Sequence, residues 1–262
     1  MEILKSEDIR LTVMNSYRNV ATQGGNSCAP ATSCCGGSGA VSVQLGYSEQ
    51  DITSVPEGAN MGLGCGNPQA IAALQPGETV LDLGSGGGFD CFLAARQVGE
   101  SGHVIGVDMT PEMIAKARAN ARKAGYSNVE FRLGEIEHLP VADQSIDVIL
   151  SNCVINLSPE KPRVFEEAYR VLKPGGRLAI SDVVASVPLP EEFRNDPALL
   201  SGCMGGAVTI VEVEAMLQAA GFERIKIQPK DESREFIREW APDRRIEEFV
   251  LSATIEAVKP GR

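Results

Sequence analysis

The feature that most constrains this chain is a glycine-rich turn between a predicted strand and a predicted helix. Residues 79–83 read as a buried strand, and residues 89–98 read as a helix. Glycines in such a turn let backbone amides approach a ligand at points where a Cβ atom would obstruct it. An acid at the end of the next predicted strand is placed to accept both hydroxyls of a ribose. These features predict a ligand site made by Asp82, Gly84, Ser85, Gly86, Gly88 and Asp108.

Predicted strands and helices alternate along the middle of the chain. Alternation of this kind implies right-handed crossovers, so we expect an α/β fold with a doubly wound, mostly parallel sheet of seven strands. Two closing strands after Gly221 are expected to be antiparallel partners at the sheet edge. Thr209 and Glu212 form a predicted capping box at the start of the helix that Gly221 ends. The predicted strands are 79–83, 103–107, 129–133, 146–150, 177–182, 222–228 and 249–258.

The chain is predicted to have three parts. Residues 1–75 hold an N-terminal helix that starts at Ser6, followed by loops that contain cysteines, with an unstructured stretch from 22 to 40. Residues 76–182 form the nucleotide-binding core. Residues 183–262 supply a lid or wall of the substrate site, from 183 to 207, and then the helix and strands that complete the sheet.

The glycine turn resembles motif I of the class I S-adenosylmethionine methyltransferases. Three further segments match that family in order: Gly134-Glu135-Ile136, Ser151-Asn152, and the turn Leu172-Lys173-Pro174-Gly175-Gly176. The resemblance implies a Rossmann-like fold with S-adenosylmethionine as methyl donor and with no catalytic metal. It adds Met109, Glu135, Ile136 and Asn152 to the residues expected to bind the cofactor.

An NAD-binding domain is the alternative for such a turn, because it also uses glycines and a ribose-binding acid. The spacing of the third glycine disfavours this alternative, and no catalytic His or Lys pattern follows.

The seven cysteines of the chain suggest what accepts the methyl group. The two histidines, His103 and His138, are expected to be structural or exposed, so no base for proton transfer is evident. Cys153 follows the fourth predicted strand, where ligands bind in open α/β sheets. Cys65 and Cys203 lie in glycine-rich loops that we expect to bury little. Three converging thiolates predict a soft, thiophilic centre, for which trivalent arsenic is a candidate.

On these residues the chain resembles the arsenite methyltransferases. The matching segments are 64–68, 151–157 and the cysteine that precedes two glycines, Cys203. The resemblance implies that Cys65, Cys153 and Cys203 bind As(III), and that a thiol pair forms a disulfide that a thioredoxin- or glutathione-like reductant reopens. It further suggests Cys34 or Cys35 as a redox relay, with Cys28 a weaker candidate. Cys91 is expected to serve packing.

Charge and hydropathy exclude several other classes. The chain has 24 basic and 35 acidic residues, a net charge of −11, whereas a protein that binds nucleic acid needs a basic surface. With no apolar run long enough to span a bilayer, and with reduced thiols, we expect a cytoplasmic protein and no membrane partner. Two alternatives stay open at this point. One is a carbon or oxygen methyltransferase for a quinone-like molecule, and the other is a non-catalytic thiol protein that binds arsenic.

Overall fold

One mixed sheet forms the centre of the computed structural model, which describes residues 6–23 and 38–261. Within those residues the sheet has seven strands in the order β3-β2-β1-β4-β5-β7-β6. In chain order the strands are β1 (Thr79–Leu83), β2 (His103–Asp108), β3 (Val129–Leu133), β4 (Ile146–Asn152), β5 (Leu172–Ala185), β6 (Glu223–Lys230) and β7 (Val250–Val258).

The first five strands are parallel, and β7 runs antiparallel to both β5 and β6. The predicted fold class and the antiparallel closing strands are therefore confirmed. Leu81 pairs with Ile105 on one side and with Ile149 on the other, which fixes the register at the middle of the sheet. In this register the carboxyl ends of β1, β2 and β4 lie along one edge, where open sheets of this type bind ligands.

Strand β5 is longer than the sequence pattern predicted. It was expected to end at Asp182, but it pairs with β7 as far as Ala185. An acid normally ends a buried strand. Asp182 instead stays within the strand, because its carboxylate accepts hydrogen bonds from the backbone N–H groups of Ile155 and Val183.

Helices cover both faces of the sheet. In chain order they are α1 (Ser6–Gln23), α2 (Ser38–Gln44), α3 (Glu49–Ser54), α4 (Gln69–Ala72), α5 (Phe89–Val98), α6 (Pro111–Ala124), α7 (Lys161–Val171), α8 (Glu191–Arg194), α9 (Pro197–Ser201), α10 (Ile210–Ala220) and α11 (Arg234–Trp240). Short 3₁₀ turns lie at Ile155–Leu157, Asp231–Ser233 and Ile246–Glu248. None of the helices in the described ranges is long and apolar enough to cross a membrane.

The ends of the helices follow the sequence signals closely but not everywhere. Thr209 and Glu212 form the predicted capping box of α10, and Gly221 ends that helix in the left-handed conformation. The prediction that residues 22 to 40 are unstructured is wrong at both described ends of that stretch, because α1 extends to Gln23 and α2 starts at Ser38. The remainder of that stretch lies outside the described residues.

Two apolar clusters flank the central strands, and a third caps the carboxyl edge of the sheet. The first includes Leu81 and Phe165, and the second includes Phe92 and Phe131. The third contains Cys65, Cys153 and Cys203 among apolar side chains of the segment after β5 and of α11, including Leu189, Phe193, Met204 and Ile237. The three predicted thiol ligands are thus part of the packed interior.

Candidate functional site

A single cavity joins the glycine turn to two of the three predicted thiols. Its wall includes Gly84 and Gly86 on one side and Cys153 and Cys203 on the other. Helix α1 closes it with Arg10, Val13 and Tyr17, and α11 contributes Trp240. The carboxyl ends of β1, β2 and β4 form its floor, because Asp82, Asp108 and Asn152 also line it.

The glycine turn has room for a ligand at one specific point. A Cβ atom added at Gly86 would meet nothing within 4 Å, and the residue has a φ of +50°. A Cβ atom at Gly84 would instead lie 2.5 Å from Val154, so that glycine serves close packing inside the protein. The open face at Gly86 therefore points into the cavity, where an added methyl group would fill the space of a bound ligand.

The carboxylate of Asp108 binds the backbone of this turn. One carboxylate oxygen accepts the N–H of Gly86 at 3.0 Å, and the other accepts the N–H of Thr110 at 2.8 Å. Thr110 is at the N-cap position of α6, but its side chain makes no capping hydrogen bond. Burial raises the pKa of Asp108 above its usual value. The remaining lone pairs of this carboxylate are available to ribose hydroxyls.

Two further buried carboxylates lie beside the turn, Asp82 and Asp90. Burial raises the pKa of both, and the charge of Asp90 adds to the effect at Asp82. The thiol of Cys91 donates a hydrogen bond to Asp82 at 3.2 Å, so this cysteine supports the motif acid in addition to packing in the core. Among the described residues neither carboxylate forms an ion pair with Lys or Arg within 4.0 Å. Such a site favours a ligand that carries positive charge.

The opposite wall of the cavity is made by the segment after β3. Gly134 and Ile136 line the cavity, together with Met109 from the end of β2. Glu137 also lines it, accepts a 2.6 Å hydrogen bond from Ser158 and forms an ion pair with Arg10. Glu135 is half-exposed and is not part of the cavity wall, although its carboxylate lies 3.7 Å from the guanidinium of Arg10.

The three thiols converge from distant parts of the chain. The Sγ atoms of Cys65 and Cys153 and a carboxylate oxygen of Asp182 all lie within 4.8 Å of one another. The thiol of Cys203 donates a hydrogen bond to the carbonyl oxygen of Cys153. All three are reduced, which leaves each sulfur free to bind a ligand.

The expectation that the Cys65 and Cys203 loops bury little is wrong. The exposed fractions are 1% for Cys65, 7% for Cys153 and 2% for Cys203. Glycines make this burial possible, because a Cβ atom at Gly64 would lie 2.7 Å from the amide of Asn152 and one at Gly66 would lie 2.9 Å from Ser181. The glycines on either side of Cys65 thus allow its loop to press directly against β4 and β5.

The environment keeps two of the thiols, those of Cys65 and Cys153, protonated until a ligand arrives. Burial raises the pKa of Cys65 above the ordinary value of a thiol. Hydrogen bonds with Cys203 and Cys65, followed by burial, raise the pKa of Cys153 well above that value. A soft ion that replaces the thiol protons removes this cost, since sulfur then shares its charge with the ion.

Several residues at the site had not been expected from the sequence. Asp182 lies at the predicted end of the fifth strand, and Asp90 lies in the first helical turn after the glycine turn. An acid at either kind of position was the signal to look for. Arg10 and Trp240 reach the cavity from the two ends of the chain, and no local pattern indicates that. The predicted relay cysteines Cys34 and Cys35, like Cys28, lie outside the described residues. His103 and His138 pair with Glu130 and Glu135 and are not part of the cavity wall.

Comparisons with known proteins give the family of the chain. Residues 74–221 match a family model described as a methyltransferase domain. The arsenite methyltransferase of Halobacterium salinarum is 57% identical over 98% of this chain and 68% of its own length. That of Aquipseudomonas alcaligenes is 49% identical over 64% of this chain, which spans half of that relative's length.

A solved structure gives the same result in three dimensions. The arsenic(III) S-adenosylmethionine methyltransferase of Chlamydomonas reinhardtii superposes with a TM-score of 0.65 and 36% identity. The match covers 85% of this chain and 74% of the algal one. The chain therefore belongs to the arsenite methyltransferase family of S-adenosylmethionine-dependent methyltransferases.

Proposed function

We propose that this protein transfers methyl groups from S-adenosylmethionine to trivalent arsenic held by Cys65, Cys153 and Cys203. One observation carries the proposal: two of three converging, buried thiols line the same cavity as the open face of the glycine turn. The names of the relatives add support, and the chain spans 68% and 50% of the lengths of the two curated relatives described above.

The residues around the glycine turn fit the methyl donor. Gly86 leaves space along the backbone, and Asp108 presents free lone pairs to a ribose. Asp82 and Asp90 are buried acids beside the turn, and a cationic ligand would stabilise their charged forms, which burial disfavours. When bound, S-adenosylmethionine supplies an electrophilic methyl group on a positively charged sulfur. Met109, Ile136 and Asn152 line the same cavity with Gly84 and Ser85, and we keep all five as proposed cofactor residues. Gly88 and Glu135, which the sequence also predicted, are not part of the cavity wall, and a Cβ atom at Gly88 would lie 2.8 Å from Phe131.

The thiols fit arsenite as the acceptor. Three thiols replace the three hydroxyl groups of arsenous acid, and each thiol proton leaves with a hydroxyl group as water. Arsenic keeps its lone pair, which forms the new As–C bond while the donor C–S bond breaks. Arsenic is thereby formally oxidised from the trivalent to the pentavalent state. Two thiolates return two electrons to it as they form a disulfide, and a thioredoxin- or glutathione-like reductant reopens that disulfide.

Three further expectations are part of the same proposal. Cys34 or Cys35 relays the disulfide towards the reductant. Residues 183–207 act as the wall that seals the thiols, because α8, α9 and the turn with Cys203 pack over the carboxyl edge of the sheet. The protein works in the cytoplasm, where thiols are kept reduced.

The test uses purified protein with S-adenosylmethionine, arsenite and a thiol, with methylated arsenicals identified by mass spectrometry. We expect turnover in the wild type and at least a 100-fold loss in each of Cys65→Ser, Cys153→Ser and Cys203→Ser, with donor binding retained in calorimetry. Cys91→Ser is the matched control and should bind As(III) normally, because that thiol lies beside Asp82 and away from the cluster.

Two outcomes would contradict the proposal. Full arsenite methylation in all three serine variants would mean that these thiols do not hold the arsenic that is methylated. Tight arsenite binding by the wild type without any methylated product would favour a protein that only sequesters arsenic.

A further inference from the structure

The side chain of Asn152 lies between the two halves of the site. Its Oδ1 atom accepts the backbone N–H of Cys65 at 3.0 Å. Its Nδ2 atom donates to the carbonyl oxygen of Gly66 at 2.9 Å and to the hydroxyl of Tyr47 at 3.0 Å. Both amide hydrogens are therefore engaged within the protein. This residue, predicted from sequence as a cofactor contact, holds the loop of a thiol ligand.

Tyr47 continues the connection to the donor side. Its hydroxyl donates to the carboxylate of Asp90, at 2.8 and 3.0 Å from the two oxygens. Its ring packs against Phe89, with ring centroids 4.8 Å apart, and only 3% of the residue is exposed. Burial and then Asp90 raise the pKa of Tyr47 well above its usual value, so the hydroxyl keeps its proton at neutral pH and remains a donor.

Asp90 in turn is anchored in the first turn of α5, directly after the glycine turn. It lines the donor cavity, and its carboxylate and backbone carbonyl also accept hydrogen bonds from Gln69. A continuous and largely buried series of hydrogen bonds thus runs from Asp90 through Tyr47 and Asn152 to the backbone of Cys65. The hydroxyl of Ser252 donates to the carbonyl oxygen of Cys65 at 2.7 Å, so the backbone of this cysteine is held from both sides.

We propose that Tyr47 and Asn152 are positioning residues that hold the Cys65 thiol at a fixed position relative to the donor site. The inference rests on the proposed function, because it assigns Cys65 as a ligand of As(III). Cys65 is the one thiol of the three that comes from a loop before the sheet and not from the sheet or the wall above it. Without the hydrogen bonds that start at Asp90, the backbone of Cys65 would keep, among the described residues, only its hydrogen bond from Ser252. Preorganised ligands bind more tightly, since less conformational freedom is lost on binding.

The test is a double-mutant cycle on As(III) affinity between Tyr47→Phe and Cys65→Ser. Tyr47→Phe keeps the ring and removes the hydroxyl that joins Asp90 to Asn152. We expect roughly tenfold weaker As(III) binding in the single variant, because one buried hydrogen-bond link is lost. In the Cys65→Ser background, the same substitution should leave As(III) affinity within about twofold, since the thiol that Tyr47 positions is already absent.

The binding signal is available within the protein. Trp240 is the single tryptophan of the chain and lines the cavity with Cys203, so its fluorescence can follow arsenite titration. Tyr126→Phe is the matched control, because Tyr126 packs on Phe92 in the second core cluster, away from the cavity. It should leave As(III) affinity unchanged. Donor affinity, measured separately by calorimetry, should change less than threefold in Tyr47→Phe.

Two results would overturn the inference. One is an equal loss of As(III) affinity from Tyr47→Phe with and without Cys65, which would indicate a general structural defect. The other is no loss in either background. If Tyr47→Phe does not fold, Asn152→Ala in the same cycle applies the same criterion. None of these readouts requires methyl transfer, so a failure of the proposed activity would be seen separately.

Discussion

The two halves of the site are built in different ways. The donor half comes from a short contiguous stretch, the glycine turn after β1, and from the end of the neighbouring strand β2. The thiol half needs three segments, and Cys153 and Cys203 alone are 50 residues apart in the chain. The donor half therefore exists wherever a strand, a turn and a helix form locally. The thiol half exists only when the whole domain has folded.

The two halves also differ in chemistry. Buried carboxylates surround the glycine turn, whereas apolar side chains such as Leu189 and Met204 surround the thiols. Acids favour a charged donor, and an apolar, thiol-rich pocket favours a soft and weakly hydrated acceptor. The difference teaches that the common part of the fold selects the donor, while the long-range contacts select the acceptor.

The largest expected effect tests whether the donor half and the thiol half bind their ligands independently. Gly86→Ala places a methyl group in the open part of the cavity, where a bound donor would lie. We expect donor affinity to fall by more than about 100-fold, with As(III) binding unchanged. Calorimetry with S-adenosylhomocysteine, beside arsenite titration followed by Trp240 fluorescence, measures both.

Gly125→Ala is the control for the backbone strain of that change. Gly125 also has a positive φ, +74°, and a Cβ atom there would also meet nothing within 4 Å, but it ends α6 away from the cavity. Both variants should lose about 1 kcal/mol of stability. A similar loss of donor affinity in both variants would break the claim that Gly86 faces the donor.

The next largest effect concerns Asp182, the acid beside the thiols. Burial raises the pKa of Asp182 from 3.8 to about 6. Between pH 4 and pH 6 the folded state therefore binds more protons at this residue than the unfolded state does. The free energy of unfolding should fall as pH rises through this window and then level off, by about 2 to 3 kcal/mol for this group.

Urea unfolding at several pH values compares the wild type with Asp182→Asn. The variant should keep most of the decline with pH, because burial also raises the pKa of Asp82, Asp90 and Asp108 on the donor side. Only the part of the decline that comes from Asp182 should disappear. An unchanged pH dependence in the variant would mean that Asp182 does not titrate in this window.

The sequence predicted the donor half with little loss. The strand, the glycine turn and Asp108 are local signals, and the structure gathers Asp82, Gly86 and Asp108 around one cavity. The capping box of α10 was equally visible, because its two members are three residues apart. Period and spacing suffice where the interacting residues are neighbours in the chain.

The sequence predicted which cysteines form the thiol half but not what surrounds them. Residue types and the resemblance to a family indicated the three cysteines. Their burial, the convergence with Asp182 and the support from Tyr47 depend on contacts between residues that are distant in the chain, such as Tyr47 and Asn152, which are 105 positions apart. The loop after β3 shows a related limit: the structure brings Glu137 and not Glu135 to the cavity wall, because an irregular segment has no period that fixes which side chain faces inward.

The smallest expected effect asks where each half stores backbone strain. At the donor turn the left-handed positions are occupied by glycines, but at the thiol site two of the cysteines themselves, Cys153 and Cys203, have positive φ, +59° and +64°. A residue with a Cβ atom in this region costs about 1 kcal/mol relative to glycine. Cys203→Gly should therefore be more stable than Cys203→Ala by about 1 kcal/mol in urea unfolding.

The matched pair at Cys91 should show the opposite order. Cys91 lies inside α5, where glycine is less stable than alanine by about 1 kcal/mol. Opposite signs at the two cysteines would locate strain at the thiol site and not in the helix under the donor turn. Both substitutions at Cys203 remove the thiol, so they compare the backbone alone. In the wild type, such strain would be tolerated because it aims the sulfur of Cys203 at the acceptor. The same order at both positions would show that the backbone around Cys203 relaxes freely, and the thiol half would then be as unstrained as the donor half.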